Sequence, residues 1–114
     1  MSPLDQKMTA LAEANRIRSA AAVVKQEVSD GIPLADALND PRALPVRVDV
    51  LLGCVPGLGP VKVARVLRRV GVSPAARVRD VTARQAAALG ADPLVAGGPE
   101  RAYDRARYVG RRAA

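Results

Sequence analysis

The amino-acid sequence predicts an all-α fold in which a long N-terminal helix packs on a small helical domain. Three observations support this prediction. Residues 4–29 contain neither glycine nor proline, whereas both residue types recur at short intervals afterwards. Between these breaks the apolar residues repeat at helical spacing, and no second strand-like segment exists to pair with the one ambiguous run. At 114 residues the chain is large enough for one modest core.

The first predicted helix covers residues 4–29 and ends at Gly31. It is rich in Ala, Glu, Gln, Lys and Arg, which all favour helix. Its apolar residues recur at intervals of four and three, which predicts one buried seam along the whole helix. Lys7, Arg18 and Lys25 share another stripe, which we interpret as a solvated face, with a second surface for phosphate groups as the alternative. The seam comprises Ala10, Ala14, Ile17, Ala21, Val24 and Val28.

Shorter helices are predicted in the middle of the chain. Residues 33–38 suit one turn of helix, which the Asn-Asp-Pro sequence of residues 39–41 ends. Residues 46–55 are strongly apolar with an ambiguous period, and we favour a helix because they have no convincing strand partner. Pro60 fits the first position of a basic helix, and Gly71 fits its end.

The C-terminal part combines helical and loop signals. The Ser-Pro that opens residues 73–77 predicts a short helical turn that contains Arg77. Thr82 is a predicted N-cap for a helix over residues 83–89. Residues 90–99 are rich in glycine and proline, which predicts a linker.

The turn at residues 55–60 (Val-Pro-Gly-Leu-Gly-Pro) is the most informative feature of the sequence. Gly57 and Gly59 can adopt positive φ and lack a Cβ, which lets the main chain approach a phosphate group closely. The following helix adds unpaired N–H groups and the positive end of its macrodipole, and Lys62 adds a charge. A rigid turn in which Leu58 fills the core is the alternative interpretation. The residues predicted to contact nucleic acid at this turn and helix are Gly57, Leu58, Gly59, Pro60, Val61, Lys62, Arg65 and Arg69.

The net charge of +7 arises after the start of this turn. Residues 1–54 carry six basic and seven acidic side chains, a net of −1, whereas residues 55–114 carry twelve and four, a net of +8. A solvated surface usually mixes both signs, so this asymmetry favours a polyanionic partner. We expect Arg77, Arg79 and Arg84 to flank the turn in space. The arginine-rich segment after the predicted linker is expected to form a short helix or to become ordered on a phosphate backbone.

The residue types exclude several classes of function. With no His and one Cys, the chain offers neither a Cys/His zinc site nor a His-dependent nucleophile. With no Phe or Trp and two Tyr, binding by aromatic base stacking is not expected. We interpret Cys54 as a small buried residue in a reducing cytoplasm, and we expect neither a membrane span nor a signal peptide. We therefore expect no catalytic activity, cofactor, metal ion, small-molecule substrate or membrane partner.

The order of elements and two segments resemble the actinobacterial integration host factor family. The similarity covers roughly residues 9–89. Its most specific parts are the alanine-rich residues 12–31 and residues 51–67, which combine an apolar helix, a Pro-x-x-Gly turn and a Lys-x-Ala sequence. Members of that family are small nucleoid-associated proteins that bind duplex DNA through a helix-two-turns-helix motif.

The resemblance implies both a motif and a site. It places a helix-two-turns-helix motif in the small helical domain, and Gly57, Gly59 and Lys62 match the turn that contacts the DNA backbone. The family's usual lysine-rich turn is replaced here by Gly57, Leu58 and Pro60, which shifts the contact from side-chain charge to main-chain N–H groups. The resemblance also implies that the long helix is a second DNA-facing element, with matching cations at Arg16, Arg18 and Lys25.

These observations predict sequence-independent binding of double-stranded DNA through its phosphate backbone, with bending, bridging or compaction of the DNA. We expect a monomer in the cytoplasm, at the nucleoid. Its predicted parts are the long helix (1–30), the DNA-binding domain (31–90) and a basic extension (91–114). Two alternatives stay open. The turn and basic helix also resemble the helix-two-turns-helix of a small-subunit ribosomal protein, which implies RNA binding, and residues 46–55 suit a protein-interaction module.

Overall fold

The computed structural model describes residues 2–97, and every regular element in that range is a helix. The all-α prediction is confirmed. Two short 3-10 helices, Pro41–Ala43 and Val78–Asp80, and an isolated antiparallel bridge between Arg47 and Arg77 lie between the α-helices. The α-helices are α1 (Pro3–Ser29), α2 (Leu34–Leu38), α3 (Val48–Gly53), α4 (Pro60–Val70), α5 (Ala83–Ala91) and α6 (Pro93–Ala96).

The core is built around α3 and α4, which pack against each other. Leu51 of α3 and Val66 of α4 have no exposed surface, and Leu89 of α5 is also fully buried. Full burial of one such side chain contributes about 1.5–3 kcal/mol relative to leaving it exposed. The apolar residues 46–55 therefore supply the core, and among their large apolar side chains Val50 alone is exposed.

Helix α1 packs on the domain only through its C-terminal third. Ala21, Val24 and Val28 are buried, and α1 contacts α2 and the first 3-10 helix in this region. Ala10 is exposed, and so is Ile17, which lies in an open groove beside Pro45. The prediction of a seam buried along the whole helix is therefore wrong before residue 21. Within residues 2–97, no helix is long and apolar enough to cross a membrane.

Local signals set the boundaries of α4 and α5 as the sequence predicts. Pro60 is the first residue of α4, and Gly71 ends that helix in the left-handed region with a φ of 82°. Thr82 and Gln85 form a capping box at the start of α5. The Thr82 hydroxyl accepts from the Gln85 N–H at 3.1 Å, and the Gln85 side chain accepts from the Thr82 N–H at 3.0 Å.

Residues 73–77 are not helical, contrary to the prediction from Ser-Pro. Arg77 is extended, with φ −96° and ψ 162°, and it pairs with Arg47 in the isolated bridge. The Val78 N–H donates to the Val46 carbonyl at 2.9 Å, so pairing with a segment about thirty residues earlier determines the local conformation.

The predicted linker at residues 90–99 is wrong over most of its described part. Gly90 lies within α5, and α6 follows directly and contacts both α4 and α5. Val95 of α6 is 5% exposed, so an apolar contact holds this segment on the core despite its glycine and proline content. The predictions for residues 98–114 lie outside the described residues.

Gly90 lies where α5 packs closely on α2, because a Cβ on Gly90 would be 3.0 Å from the Cβ of Ala35. We expect Gly90→Ala to lower the free energy of unfolding by about 1–2 kcal/mol, since overpacking outweighs the gain in helix propensity. Urea denaturation measures this change, and Ala35→Gly in the same chain is expected to restore part of the loss.

Gly53→Ala is the matched control for this variant. Gly53 is also helical, but a Cβ there would have no atom within 4 Å, so the substitution is expected to raise stability by about 0.5–1 kcal/mol. Equal stability of the Gly90→Ala and Gly53→Ala proteins would contradict the close packing of α5 on α2.

Candidate nucleic-acid interface

The turn between α3 and α4 is anchored to the core by Leu58. Its side chain is 6% exposed, and its N–H donates to the Val55 carbonyl at 3.1 Å. Pro56 and Gly57 occupy the two central positions of this β-turn, and Gly57 has a φ of 84°, a conformation that favours glycine. The Leu58 side chain therefore stabilises the turn and is not accessible to a ligand.

Gly59 differs from Gly57 in its conformation. It is the N-cap of α4 with φ −84° and ψ 175°, an ordinary extended conformation, so a positive φ is not the reason for glycine here. A Cβ on Gly59 would have no atom within 4 Å, and the residue is exposed. The fold tolerates a side chain at this position, whereas a partner that approaches the main chain closely does not.

Four main-chain donors at the turn and the start of α4 lie on exposed residues. The N–H groups of Gly57, Gly59, Val61 and Lys62 donate to no other residue in the described range, and no side chain caps the helix. The Lys62 Nζ lies 3.5 Å from the Gly57 carbonyl oxygen, which keeps its charge beside these donors. Unpaired N–H groups, the positive end of the helix dipole and this ammonium group together favour an anion.

Helix α4 presents one row of side chains directly outward. Val61, Arg65 and Arg68 are separated by four and three residues, and all three are exposed. Neither arginine has a hydrogen-bonding or ionic partner for its side chain within residues 2–97. Arg68 is absent from the residues predicted from the sequence, although its spacing of three from Arg65 was a signal for it.

Arg69, unlike Arg65, is tied to the core by an ion pair, although about half of its side chain is exposed. Its Nε and Nη2 atoms donate to the two carboxylate oxygens of Asp92 at 3.1 and 2.8 Å, and Asp92 is 6% exposed. Asp92 also accepts from the Leu94 N–H at 2.9 Å at the start of α6. The structure therefore separates two arginines that the sequence placed on one binding face, because Arg69 joins α4 to α6.

A second cationic surface lies where α1 passes residues 44–47 and 77–79. We call it the α1 groove, and Ile17 and Pro45 lie at its centre. Five of its cations were predicted from separate parts of the sequence to bind DNA, and the groove adds two that were not predicted. Its cationic side chains are Arg16, Arg18, Lys25, Arg42, Arg47, Arg77 and Arg79.

Three of the cations in the α1 groove form ion pairs with carboxylates. The hydrogen bonds from Arg42 hold the pKa of Asp40 below its ordinary value, so this carboxylate stays ionised and offsets the arginine charge. Hydrogen bonding likewise lowers the pKa of Glu13 beside Arg16. The pairs are Arg16 with Glu13, Arg42 with Asp40 and Glu27, and Arg47 with Asp49.

The other four cations have no carboxylate partner for their side chains in the described part of the chain. Arg18 donates to a neutral amide oxygen at 2.7 Å, and the Arg77 guanidinium donates to a main-chain carbonyl. Lys25 and Arg79 have no side-chain partner among residues 2–97. These four side chains carry the charge of the α1 groove that residues 2–97 leave unneutralised.

The isolated bridge places two of the groove arginines opposite each other. Arg47 and Arg77 face each other between two main-chain hydrogen bonds of 2.9 Å, from the Val48 N–H to Ala76 and from the Val78 N–H to Val46. Asp49 neutralises Arg47 and the Arg77 guanidinium donates to the Pro45 carbonyl, so the pair leaves one positive charge at this surface without a carboxylate among residues 2–97. No local signal in the sequence places Arg47 at this surface, because Arg77, which lies opposite it in the bridge, is about thirty residues later in the chain.

The two cationic surfaces lie at opposite ends of α3. Arg47 immediately precedes α3 and the turn follows it, and a helix of six residues is about 9 Å long. Arg84 belongs to neither group of cations, since it is exposed on α5, which carries no other cation, and does not line the α1 groove.

Two consecutive turns join α3 to α4, since the Val55 N–H donates to the Leu52 carbonyl at 3.0 Å and the Leu58 N–H donates to the Val55 carbonyl at 3.1 Å. This is a helix-two-turns-helix arrangement, which is a nucleic-acid-binding fold. A family model described as the S13-like H2TH domain matches residues 32–92, the stretch from the end of α1 to the end of α5. The chain belongs to this family. Comparisons with curated proteins and with solved structures found no match.

The contrast between Arg69 and Arg65 predicts different effects of their removal. We expect Arg69→Ala to lower the free energy of unfolding by about 1–2 kcal/mol, because it leaves the buried Asp92 carboxylate without its charged partner. The loss is not larger because half of the arginine side chain is solvated. Arg65→Ala is expected to stay within about 0.5 kcal/mol of the parent protein, since Arg65 is an exposed side chain. Urea denaturation of both variants measures the difference.

The same two variants are expected to reverse their order in nucleic-acid affinity, with the larger loss for Arg65→Ala. A larger affinity loss for Arg69→Ala at a temperature where both variants are folded would contradict the division between a binding arginine and a structural one.

Proposed function

We propose that this protein binds double-stranded DNA through the phosphate backbone, without reading the base sequence, and bends, bridges or compacts the DNA. The observation that carries the proposal is the group of four N–H donors at the turn, which lie on exposed residues and have no partner among residues 2–97, with the Lys62 ammonium beside them and Arg65 and Arg68 on the same helix. Contacts of this kind go to phosphate oxygens, which fix the position of a protein on nucleic acid but carry no sequence information.

The α1 groove supports a second contact with DNA. Its four unneutralised cations lie at the other end of α3 from the turn, so a duplex bound at the turn leaves them close by. A single duplex that touches both surfaces bends, whereas two duplexes, one on each surface, are bridged. Both outcomes belong to an architectural role.

The resemblance to the actinobacterial integration host factor family supports the same role. It joins the long helix, with Arg16, Arg18 and Lys25, to the turn in a single DNA-binding protein. We propose accordingly a monomeric, non-catalytic protein of the nucleoid. This finer assignment rests on the resemblance and on the charges of α1, which lie outside the matched residues 32–92.

RNA binding is the second candidate function. The description of the matching family as S13-like favours it, together with the resemblance of the turn and basic helix to a small-subunit ribosomal protein. Competition between duplex DNA and duplex RNA of the same sequence separates the two candidates. Stronger competition by RNA would favour this second function.

Gly59→Ser tests the main-chain contact without disturbing the fold. Serine is a preferred N-cap residue, so thermal stability is expected to stay equal or rise. The serine side chain covers the approach to the turn and accepts from one of the free N–H groups. DNA affinity is therefore expected to fall about tenfold, the loss of roughly one charge-assisted hydrogen bond.

Binding of Gly59→Ser, of the parent protein and of the Gly53→Ala control is measured by fluorescence anisotropy across a salt series. The parent affinity is expected to fall linearly in log–log form with a slope of about −0.9 per neutralised phosphate, and the control is expected to behave like the parent. An affinity that does not respond to salt, or Gly59→Ser binding as tightly as the control, would count against the proposal.

Lys25→Glu combined with Arg79→Glu tests the α1 groove. We expect this double variant to keep duplex binding at the turn, with a less steep salt dependence, and to lose bending or bridging because the groove now repels phosphate. Circularisation of short DNA measures bending, and capture of a labelled duplex on an immobilised one measures bridging.

Lys7→Glu with Arg84→Glu makes the same change in net charge outside the groove. An equal loss in this control would show that net charge, and not the groove, is responsible.

A further inference from the structure

Val61 is the most exposed of the large apolar side chains in the described part of the chain. It is 72% exposed, more than any large apolar side chain in the first half of α1. Two other valines of α4, Val63 and Val66, point into the core and are only 6% and 0% exposed. The fold therefore makes no use of an apolar side chain at position 61, and a solvated position of this kind is usually polar.

The position of Val61 on α4 places its side chain beside any nucleic acid bound there. Side chains of a helix tilt toward its N-terminus, so the isopropyl group leans toward the unpaired N–H groups of the turn. Arg65 and Arg68 continue the same outward row, and both lack partners among residues 2–97. Each phosphate of a nucleic-acid strand lies between two sugars. A phosphate held by the N–H donors and the two arginines would therefore bring one of its sugars to the Val61 side chain, which lies between them.

We propose that Val61 packs against the sugar next to the bound phosphate and makes the protein prefer deoxyribose to ribose. This inference rests on the proposed function, binding at the turn and α4. The C2′ carbon of deoxyribose carries only hydrogen and packs favourably on an isopropyl group. A ribose 2′-hydroxyl pressed against the same group loses water and finds no hydrogen-bonding partner, which is unfavourable.

Val61→Thr tests the inference with almost no change in side-chain shape. It replaces one methyl group by a hydroxyl group, which offers the ribose 2′-hydroxyl a hydrogen-bonding partner. Matched DNA and RNA duplexes of one sequence are titrated into the full-length protein at a fixed salt concentration. The parent is expected to prefer DNA by about tenfold, and Val61→Thr is expected to reduce this ratio to about twofold or less.

Two further variants separate the sugar contact from other effects. Val61→Leu keeps an apolar group and is expected to keep the preference for DNA. Val23→Thr makes the same exchange at a side chain of α1 that is 47% exposed and outside the α1 groove, and its DNA/RNA ratio is expected to equal the parent ratio.

An unchanged ratio for Val61→Thr, or a parent protein that binds both duplexes equally or prefers RNA, would overturn the inference. Salt-dependent binding in the same titrations would still support nucleic-acid binding at the turn. A parent protein with no salt-dependent binding to either duplex would instead overturn the proposed function and the inference with it.

Discussion

The burial of Leu58 is the constraint on which the interface depends. Ordering a turn that contains two glycines costs more conformational entropy than ordering most turns, and one buried leucine offsets that cost by about 1.5–3 kcal/mol. Because the anchor lies between exposed Gly57 and Gly59, it holds the main chain at the surface, and no side chain of residues 2–97 caps the donors. The sequence suggested two interpretations of this turn, one in which Leu58 fills the core and one in which the main chain contacts phosphate. The structure makes them compatible, because the same turn can do both.

Features set by neighbouring residues were predictable from the sequence. Pro60, Gly71 and Thr82 mark helix ends through their own dihedral angles and hydrogen bonds, and the structure confirms each of them. The placement of Lys62 and Arg65 near the turn was also predictable, because helical spacing from Pro60 determines it.

Features set by distant partners were not predictable. Arg69 shares the charge of Arg65, and only the buried Asp92, 23 residues later, distinguishes the two. The α1 groove draws cations from the half of the chain with a net charge of −1, because folding brings α1 beside Arg77 and Arg79. A seam pattern likewise shows that a helix has an apolar side, but it does not show how much of that side another element covers.

The isolated bridge has a thermodynamic consequence for the protein. Its main-chain hydrogen bonds hold exposed Arg77 in a fixed position on the folded chain, where its guanidinium has no carboxylate partner among residues 2–97, whereas Arg47 opposite is paired with Asp49. A polyanion that binds only the folded chain stabilises it by mass action. Binding and folding of such a chain are linked equilibria, so its free energy of unfolding rises with the concentration of the polyanion.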